Sequence, residues 1–298
     1  MMSRFAAPRV GLGTGPLGGL YAVVPTATAH ATVDAAWELG IRSFDTAPLY
    51  GSGLAEQRLG EALARRPRDE YTISTKVGRL LKPGKPSPHF VGAPALEPVF
   101  DFGREGVRRS LAESLERLQL DRVDIALLHD PEDHMDEARH ALETVRELAP
   151  LVGVGTNVIE TALAFVDRGE VDVVLLAGRY TVLDRSAAEE LLPLCEERGV
   201  PLIAAGVFNS GLLAGGTTFD YEAAPPELLA RRLELEEICA RYDVPLLAAA
   251  IQFPLRHPGV TSILVGARSP GEIAEDLRLL DVPVPDHLWQ ELAHHQLT

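Results

Sequence analysis

The sequence lacks several features that would assign it to other classes of protein. No apolar run reaches the ~18 residues that a membrane span needs, and the first residues lack the long apolar segment of a secretory signal. Only two cysteines are present, Cys195 and Cys239, and their helix-like surroundings predict buried, reduced thiols in a cytoplasmic protein. Positive charge is scarce, because 28 Lys and Arg against 43 Asp and Glu give a net charge of −15. Such a chain repels nucleic acid and anionic lipid, so neither nucleic acid nor a membrane is an expected partner.

The sequence does contain a regular alternation of short apolar runs and segments with helical spacing. Eight runs are predicted as strands: Arg9–Gly13, Ile41–Asp45, Tyr71–Lys76, Val123–His129, Leu151–Thr156, Val171–Ala177, Val200–Ala205 and Val260–Val265. Apolar strands joined by helices indicate a parallel sheet covered by helices. Eight such units in 298 residues predict an α/β fold of the (β/α)8 TIM-barrel type, formed as a single domain from residues 1–298.

Three segments add to this repeat. Two helices are predicted between strands seven and eight, within Pro225–His257, and an appended C-terminal helix is predicted over Asp286–Gln296. The longest predicted loop, Val77–Phe102, is rich in Gly and Pro. Because a loop of this length inside a compact domain is usually functional, it is predicted to form a lid or a wall of the substrate site.

The segment Gly13–Gly18 matches GxGxxG, the pattern of a dinucleotide-binding turn. That pattern requires a helix directly behind it, whereas GLYAVVPTA follows here, with Pro25 and no helical spacing. The segment is therefore interpreted as a tight loop at a strand end, where glycine lets a ligand approach the backbone.

Four polar side chains fall at the C-terminal ends of predicted strands or directly after them. Asp45 ends the second strand, and Tyr50 lies in the loop that follows it. Lys76 ends the third strand and His129 ends the fourth. Each of these residues alone has an ordinary structural explanation. Their conjunction on the face where such barrels carry active sites predicts a catalytic site.

Proton transfer by a phenol is the chemistry that needs these residue types together. An unperturbed tyrosine has a pKa near ~10, and a nearby ammonium group lowers it by roughly 1–3 units. Lys76 is therefore predicted to lower the pKa of Tyr50, with Asp45 as the counter-ion that keeps the buried lysine charged. His129 is predicted to donate to the substrate oxygen or to position it.

Two other enzyme classes use some of the same residues. A Schiff-base aldolase would form an imine on Lys76, but it gives no role to Tyr50 beside Asp45. A metal hydrolase would use the ligand types clustered at His129, Asp130, Glu132, Asp133 and His134. Five residues on one loop cannot all face one ion, so a solvated acidic loop is the commoner outcome, and no metal is expected.

Several blocks, in order over almost the whole chain, resemble the aldo/keto reductase superfamily. They are GLGTGPLG, FDTAPLYGSGLAEQRLGEAL, TISTKVG, SLERLQLDRVDIALLHDP, GVGTN, NSGLLAGG and ILVGARSPGEIAEDL. The resemblance implies an NAD(P)-dependent oxidoreductase on a (β/α)8 barrel, with the catalytic tetrad at Asp45, Tyr50, Lys76 and His129. Some members resemble cofactor-sensing subunits instead, which would bind nucleotide with negligible turnover.

Carried over by position, the family's cofactor contacts fall on several strand ends. They are Gly13, Thr14 and Asp45 at the first strands, Thr156 and Asn157 beside the nicotinamide, Gly206, Phe208 and Ser210 along the diphosphate, and Gly266, Ala267, Arg268, Ser269, Glu272, Glu275 and Asp276 around the adenosine. Two positions depart from the family pattern. Ala177 stands where most members have glutamine, and Ala205 stands where they have the aromatic ring that stacks on nicotinamide.

The adenosine end bears on cofactor choice. NADP-binding members use a lysine and an arginine around the 2′-phosphate, at the positions of Gly266 and Glu272. A carboxylate repels that phosphate but accepts a hydrogen bond from a ribose 2′-hydroxyl. NAD is therefore favoured over NADP, although Arg268 is placed where it could reach a phosphate.

The blocks LLHDPEDH, VDVVLLAGRYTVLD and AAGVFNSGLLAGG are most similar to a subgroup that contains L-fucose (D-threo-aldose) 1-dehydrogenases and pyridoxal 4-dehydrogenases. This implies a small-molecule substrate: either a cyclic aldose such as L-fucose, oxidised at C1 to a lactone, or pyridoxal. A general aldehyde or ketone reductase is the alternative. The candidate substrate contacts are Tyr21, Tyr50, Phe102, His129 and Arg179. Nothing in the sequence indicates the oligomeric state.

Overall fold

The computed structural model describes residues 9–294, and its centre is a closed barrel of eight parallel strands. The strands in chain order are β1 (Val10–Gly13), β2 (Ser43–Asp45), β3 (Thr72–Val77), β4 (Arg79–Pro83), β5 (Leu96–Phe100), β6 (Ile125–His129), β7 (Leu151–Thr156), β8 (Val173–Ala177), β9 (Leu202–Ala205), β10 (Thr218–Phe219), β11 (Glu222–Ala223) and β12 (Val260–Gly266). The barrel closes in the order β1-β12-β9-β8-β7-β6-β3-β2. The predicted (β/α)8 fold is therefore confirmed.

Helices connect the barrel strands and cover the outside of the barrel. They are α1 (Thr26–Glu38), α2 (Leu54–Leu63), α3 (Arg104–Leu118), α4 (Met135–Leu148), α5 (Ile159–Asp167), α6 (Leu191–Arg198), α7 (Pro226–Ala240), α8 (Leu246–Gln252), α9 (Pro270–Leu280) and α10 (Asp286–His294). Both predicted helices between the last two barrel strands are present as α7 and α8, and the appended helix is α10. Its predicted end at Gln296 lies outside the described residues. No helix within residues 9–294 is both long enough and apolar enough to cross a membrane.

Alternation along the strands sorts side chains between two cores. Inside the barrel, apolar side chains form a compact layer of Ile125, Leu127, Val173, Leu175, Ile203 and Leu264. The intervening residues face the helices and belong to a second, larger core. Because side chains alternate with a period of two, His129 shares the inward face of β6 with Ile125 and Leu127. The alternation along β6 therefore places His129 at the barrel mouth, next to the apolar layer inside the barrel.

The segment Val77–Phe102 is not the loop that its composition predicts. Its two ends form an antiparallel hairpin in which β4 pairs with β5, from Arg79 opposite Phe100 to Pro83 opposite Leu96. The prolines at positions 83 and 98 argue against strands in a sequence-based prediction. A two-stranded hairpin nevertheless tolerates proline, because each strand has a free edge. Only its tip, residues 84–95, is irregular, and this tip reaches the barrel mouth.

A second, smaller hairpin follows β9 and was not predicted. It joins β10 to β11 through Asp220 and Tyr221, whose φ angles are +47° and +68°. Two successive positive φ angles are those of a primed turn, which matches the twist of a two-residue hairpin. The turn places the Tyr221 ring 5.8 Å from the ring of His89, at the tip of the first hairpin. The two hairpins therefore meet over the barrel mouth.

Candidate active site

An ion pair lies buried at the C-terminal ends of β2 and β3. Lys76 Nζ donates to Asp45 Oδ2 at 2.7 Å and to the Thr46 carbonyl at 3.0 Å. The other carboxylate oxygen, Asp45 Oδ1, accepts from Ser74 Oγ at 2.7 Å. Asp45 is 3% exposed and Lys76 2% exposed, so water contributes little to the stability of either charge. The pair survives burial because both carboxylate oxygens have hydrogen-bond donors.

Tyr50 lies directly over this ion pair. Lys76 Nζ is 4.6 Å from the centroid of the Tyr50 ring, and the Tyr50 and His129 rings meet edge to face at 6.1 Å. Phe90, from the tip of the first hairpin, packs on the other side at 5.9 Å. The structure therefore brings together all four residues that the sequence predicts as a catalytic set.

Two glycines set the position of the Tyr50 loop. A Cβ atom on Gly51 would lie 2.2 Å from the Gly18 carbonyl oxygen, and one on Gly18 would lie 2.7 Å from the Tyr50 carbonyl carbon. Gly51 also has a φ of +63°, which other residues adopt at a cost. The N-terminal loop can therefore pack closely against the backbone that carries Tyr50.

The charge balance around Tyr50 corrects one prediction. Burial raises the pKa of Tyr50, Lys76 lowers it and Asp45 raises it again, and the net pKa lies above the usual value for tyrosine. The prediction that Lys76 brings the pKa of Tyr50 below its usual value is therefore wrong. The lost hydration of the phenolate outweighs an ammonium group that is also paired with Asp45. Burial disfavours the Lys76 cation too, but Asp45 and Tyr50 more than compensate and raise its pKa.

His129 is a neutral imidazole in this environment. Burial, together with the positive charges of Arg79 and Lys76, holds the pKa of His129 well below its usual range. Its Nε2 lies 3.4 Å from Asp130 Oδ2, and its Nδ1 has no hydrogen-bond partner within residues 9–294. A neutral imidazole carries one N–H, so His129 can donate a single hydrogen bond towards a substrate oxygen.

Two cavities open beside Tyr50. The smaller, of about 300 Å³, is lined by polar residues that include Lys76, His129 and Asp130, and by Leu49 and Phe90. The larger, of about 580 Å³, runs from Tyr50 across the ends of β9 and β12. The two cavities share four lining residues, which are Tyr50, Leu175, Ala177 and Tyr221. A group bound in one cavity is therefore next to a group bound in the other.

The sequence pattern of the Aldo/keto reductase family matches residues 9–296. The chain belongs to this family. Similar relatives include a D-threo-aldose 1-dehydrogenase from a Pseudomonas species, 41% identical over 98% of this chain and 95% of the relative. A pyridoxal 4-dehydrogenase from Microbacterium luteolum is 40% identical over 95% of this chain and 92% of the relative. Family and relatives together confirm an NAD(P)-dependent oxidoreductase.

Solved structures of this family have the same fold. A glycerol dehydrogenase from Gluconobacter oxydans superimposes with a TM-score of 0.76 over 97% of this chain and 91% of its own, at 24% identity. An aldo-keto reductase from Bacillus halodurans superimposes with a TM-score of 0.77 over 99% and 94%, also at 24% identity. At this identity the likeness supports the architecture alone.

The larger cavity has the donors that a dinucleotide needs. Glycines line one wall, at Gly206, Gly211, Gly215 and Gly216, and leave backbone accessible there. Ser210 adds a hydroxyl and Arg268 adds a cation. Exposed backbone and a hydroxyl suit a diphosphate, and the volume is within the roughly 300–1,000 Å³ of small-molecule sites. The residues present therefore fit the NAD(P) cofactor of the family.

The predicted cofactor residues divide between lining positions and supporting ones. Those that line the larger cavity are Gly13, Asp45, Gly206, Phe208, Ser210, Gly266 and Arg268. Thr14 and Ala267 are fully buried beside it. Thr156 and Asn157 line the smaller cavity instead. The Thr156 hydroxyl already donates to Glu132 and accepts from the Val158 N–H at 2.9 Å, so it is committed within the protein.

Acidic side chains of α9 lie close to Arg268, which lines the larger cavity, and Glu272 contacts it directly. Glu272 accepts from the Arg268 N–H at 2.8 Å and pairs with its guanidinium at 3.2 Å, while Ser269 caps α9 by accepting from the Glu272 N–H at 3.2 Å. Glu275 pairs with Arg278 at 2.6 Å. Burial and the two glutamates raise the pKa of Asp276 to about 7. Arg268 is therefore already neutralised by a neighbouring carboxylate.

Three predicted substrate residues lie away from the smaller cavity. Tyr21 lines the larger cavity. Phe102 is 3% exposed and packs on Phe100 at the base of the first hairpin, with ring centroids 5.9 Å apart. Arg179 lines neither cavity, because its guanidinium binds Asp220 through contacts of 2.6 and 3.0 Å. Arg179 thus anchors the turn of the second hairpin.

Sequence reasoning predicted the segment Val77–Phe102, which contains His89 and Phe90, as a lid or wall of the substrate site, but it missed Tyr221. Tyr221, His89 and Phe90 all line the smaller cavity, and all come from hairpin turns. Lost hydration, with Tyr50 and Asp130 nearby, raises the pKa of Tyr221, so its phenol stays neutral. A two-residue turn with positive φ angles is predicted by a pair such as Asn-Gly. The Asp-Tyr pair found here does not predict one.

The alternative enzyme classes find less support in the geometry. Within residues 9–294 no three His, Cys, Asp or Glu side chains converge as a metal-ligand set. Lys76, the candidate Schiff-base residue, is held as an ammonium ion by Asp45. Cys195 and Cys239 are free and buried, as predicted.

Proposed function

We propose that this enzyme oxidises the C1 hydroxyl of a cyclic aldose to a lactone, with Tyr50 as the general base and NAD as the hydride acceptor. The observation that carries the proposal is the junction of the two cavities at Tyr50. A cavity of about 300 Å³ that combines apolar walls with the polar groups of Lys76, His129 and Asp130 suits a monosaccharide, and it abuts a larger cavity that suits a dinucleotide. The similarity to a D-threo-aldose 1-dehydrogenase supports the same substrate class.

Oxidation removes the hydroxyl proton and the C1 hydrogen, and the C1–O bond becomes the carbonyl of the lactone. Tyr50, in its phenolate form, takes the hydroxyl proton. Lys76, whose Nζ is 4.6 Å from the centroid of the Tyr50 ring, stabilises that phenolate, and Asp45 keeps the lysine in place. His129, a neutral donor, holds the substrate oxygen towards Tyr50. When bound, the nicotinamide cofactor takes up the hydride from C1.

The raised pKa of Tyr50 predicts how the rate of oxidation depends on pH. Oxidation requires the phenolate, so its rate should climb as pH rises through the alkaline range. Reduction of a carbonyl requires the phenol, which is the state of Tyr50 at neutral pH. A reductase acting on simple aldehydes is therefore the second candidate, because the neutral phenol is already poised to donate.

NAD is the proposed cofactor because Arg268, which lines the larger cavity, is paired with the carboxylate of Glu272. A 2′-phosphate there would approach Glu272, and Arg268 is already paired with that side chain. A ribose 2′-hydroxyl would instead donate to a carboxylate. The pairing of Arg268 therefore removes the one feature of the sequence that favoured NADP.

A cofactor-reduction screen tests the proposal. NAD and NADP would each be offered with L-fucose, D-arabinose, other aldoses and pyridoxal, and reduction followed by absorbance. Tyr50→Phe should abolish turnover while leaving NAD binding intact. Tyr242→Phe is the control, since it removes a surface hydroxyl that donates to Glu291 at 2.8 Å and lines neither cavity. Turnover of pyridoxal but no aldose, or strong turnover by Tyr50→Phe, would overturn the proposal.

A further inference from the structure

One carboxylate in the smaller cavity has no part in the proton transfer proposed above. Asp130 follows His129 at the end of β6, and its side chain is 34% exposed, on the cavity side. Its φ is +44°, an angle that few residues other than glycine adopt. A strained residue inside a substrate cavity is a reason to look for a function.

The surrounding structure holds this side chain in a fixed position. The Asp130 N–H donates to the Gly155 carbonyl at 3.0 Å, and Arg79 Nη2 donates to Asp130 Oδ2 at 2.8 Å. Arg79 is itself packed 4.2 Å from the centroid of the Phe100 ring. The carboxylate is thus oriented before any substrate arrives, which lowers the entropy cost of using it in binding.

The position of Asp130 next to His129 indicates which group of a substrate Asp130 would contact. Asp130 Oδ2 lies 3.4 Å from Nε2 of His129, the residue proposed to hold the reacting oxygen. Two groups this close can reach oxygens on adjacent carbons of one substrate. An ionised carboxylate only accepts hydrogen bonds, so its partner must be a donor such as a hydroxyl.

We propose that Asp130 determines substrate specificity by accepting a hydrogen bond from the hydroxyl on the carbon next to the reacting one. This inference rests on the proposed function, because it takes the substrate to be an aldose with its C2 hydroxyl beside C1. The contact selects a vicinal diol. It disfavours substrates that lack that hydroxyl, since they leave the carboxylate desolvated and unpaired.

The test pairs a protein change with a substrate change. The kcat/KM values of the wild type and Asp130→Asn would be measured with the best aldose and with its 2-deoxy counterpart. A hydrogen bond to a charged group corresponds to about 10- to 100-fold in kcat/KM. We expect the wild type to lose that factor on the deoxy sugar. Asp130→Asn should lose it on the parent aldose and lose little more on the deoxy sugar.

Controls separate recognition from folding and from an effect on His129. Asp133→Asn removes an exposed carboxylate from the same loop and should behave as wild type. Asp130→Ser is a second variant, and thermal unfolding is followed for all of them. Equal losses on both sugars would mean that Asp130 acts through His129, and would overturn the inference. If the wild type oxidised no aldose, the proposed function itself would fail. If it oxidised aldoses with no dependence on the 2-hydroxyl, only the specificity role would fail.

Discussion

Replacement of Lys76 by methionine tests the electrostatics of the site most directly. The variant keeps the length of the side chain and removes the charge that lies 4.6 Å from the Tyr50 ring centroid. For an ammonium and a phenolate oxygen about 4–5 Å apart, an effective dielectric constant of about 20 gives an attraction of about 3–4 kcal/mol. This energy corresponds to a factor of roughly 400 in the phenolate population.

The expected result is that the alkaline rise in the rate of oxidation, which is the alkaline limb of the pH profile, occurs at higher pH than in the wild type. Burial already raises the pKa of Tyr50, and Lys76 opposes that shift. Without Lys76, the limb should move to higher pH, and kcat at a fixed pH below it should fall by about 100-fold or more. The assay is cofactor reduction from pH 7 to pH 11 with saturating aldose, where the pH limits are roughly those in which the phenol titrates.

A folding defect must be separated from this electrostatic effect. Lys76→Met leaves Asp45 buried without a counter-ion, at a cost of about 3–5 kcal/mol in stability. The double variant Lys76→Met/Asp45→Asn removes both charges, so it should recover most of that stability and still show the displaced limb. Lys82→Met, at an exposed position in β4, is the matched control. A limb that stays in place, or moves to lower pH, in the double variant would refute the reasoning.

Three further predictions follow from the same geometry. Glu272→Arg should raise the ratio of NADP to NAD use, because it replaces the partner of Arg268 with a second cation; Glu275→Arg is the control, and an unchanged ratio would contradict the assignment. Gly51→Ala should cost about 2 kcal/mol or more in unfolding free energy and lower kcat, because its Cβ would meet the Gly18 carbonyl. Gly169→Ala, with a φ of +65° close to the +63° of Gly51 but no neighbour within 4 Å, should show only the conformational cost and full kcat. Arg179→Met and Tyr221→Ala should each raise the KM for the aldose several-fold. The double variant should raise it no further, because both changes displace or remove the same Tyr221 ring. Additive effects on KM would show that the two residues act independently.

The barrel and the residues of its mouth were predictable because both follow from strand periodicity. Once β2, β3 and β6 are parallel, their last inward residues meet at one rim, which brings Asp45, Lys76 and His129 together. The pKa of Tyr50 was predicted in the wrong direction. A sequence shows that a lysine is near, but not how much water the fold removes from the phenol.

The hairpins escaped prediction for a different physical reason. A barrel strand is specified by an apolar run that packs on both faces, whereas β10 and β11 are two residues each, partly buried in β10 and exposed in β11. Their pairing depends on the turn at Asp220 and on its contact with Arg179, a residue 41 positions away. Such a long-range contact leaves no local pattern. For the same reason Arg179 was predicted as a pocket wall, when its contacts hold a turn.

Barrel strands and hairpins contribute different residues to the site, and this affects substrate specificity. Ala177 and Ala205, at the ends of β8 and β9, are small, so the barrel itself leaves the junction of the two cavities open. The ring that closes it, Tyr221, comes from a hairpin and is aimed by Arg179 through Asp220. Asp45, Lys76 and His129 are held at the ends of barrel strands, whereas Tyr221, His89 and Phe90, which line the smaller cavity, are carried on the hairpins. A change in a turn can therefore alter the accepted substrate without disturbing the buried charges.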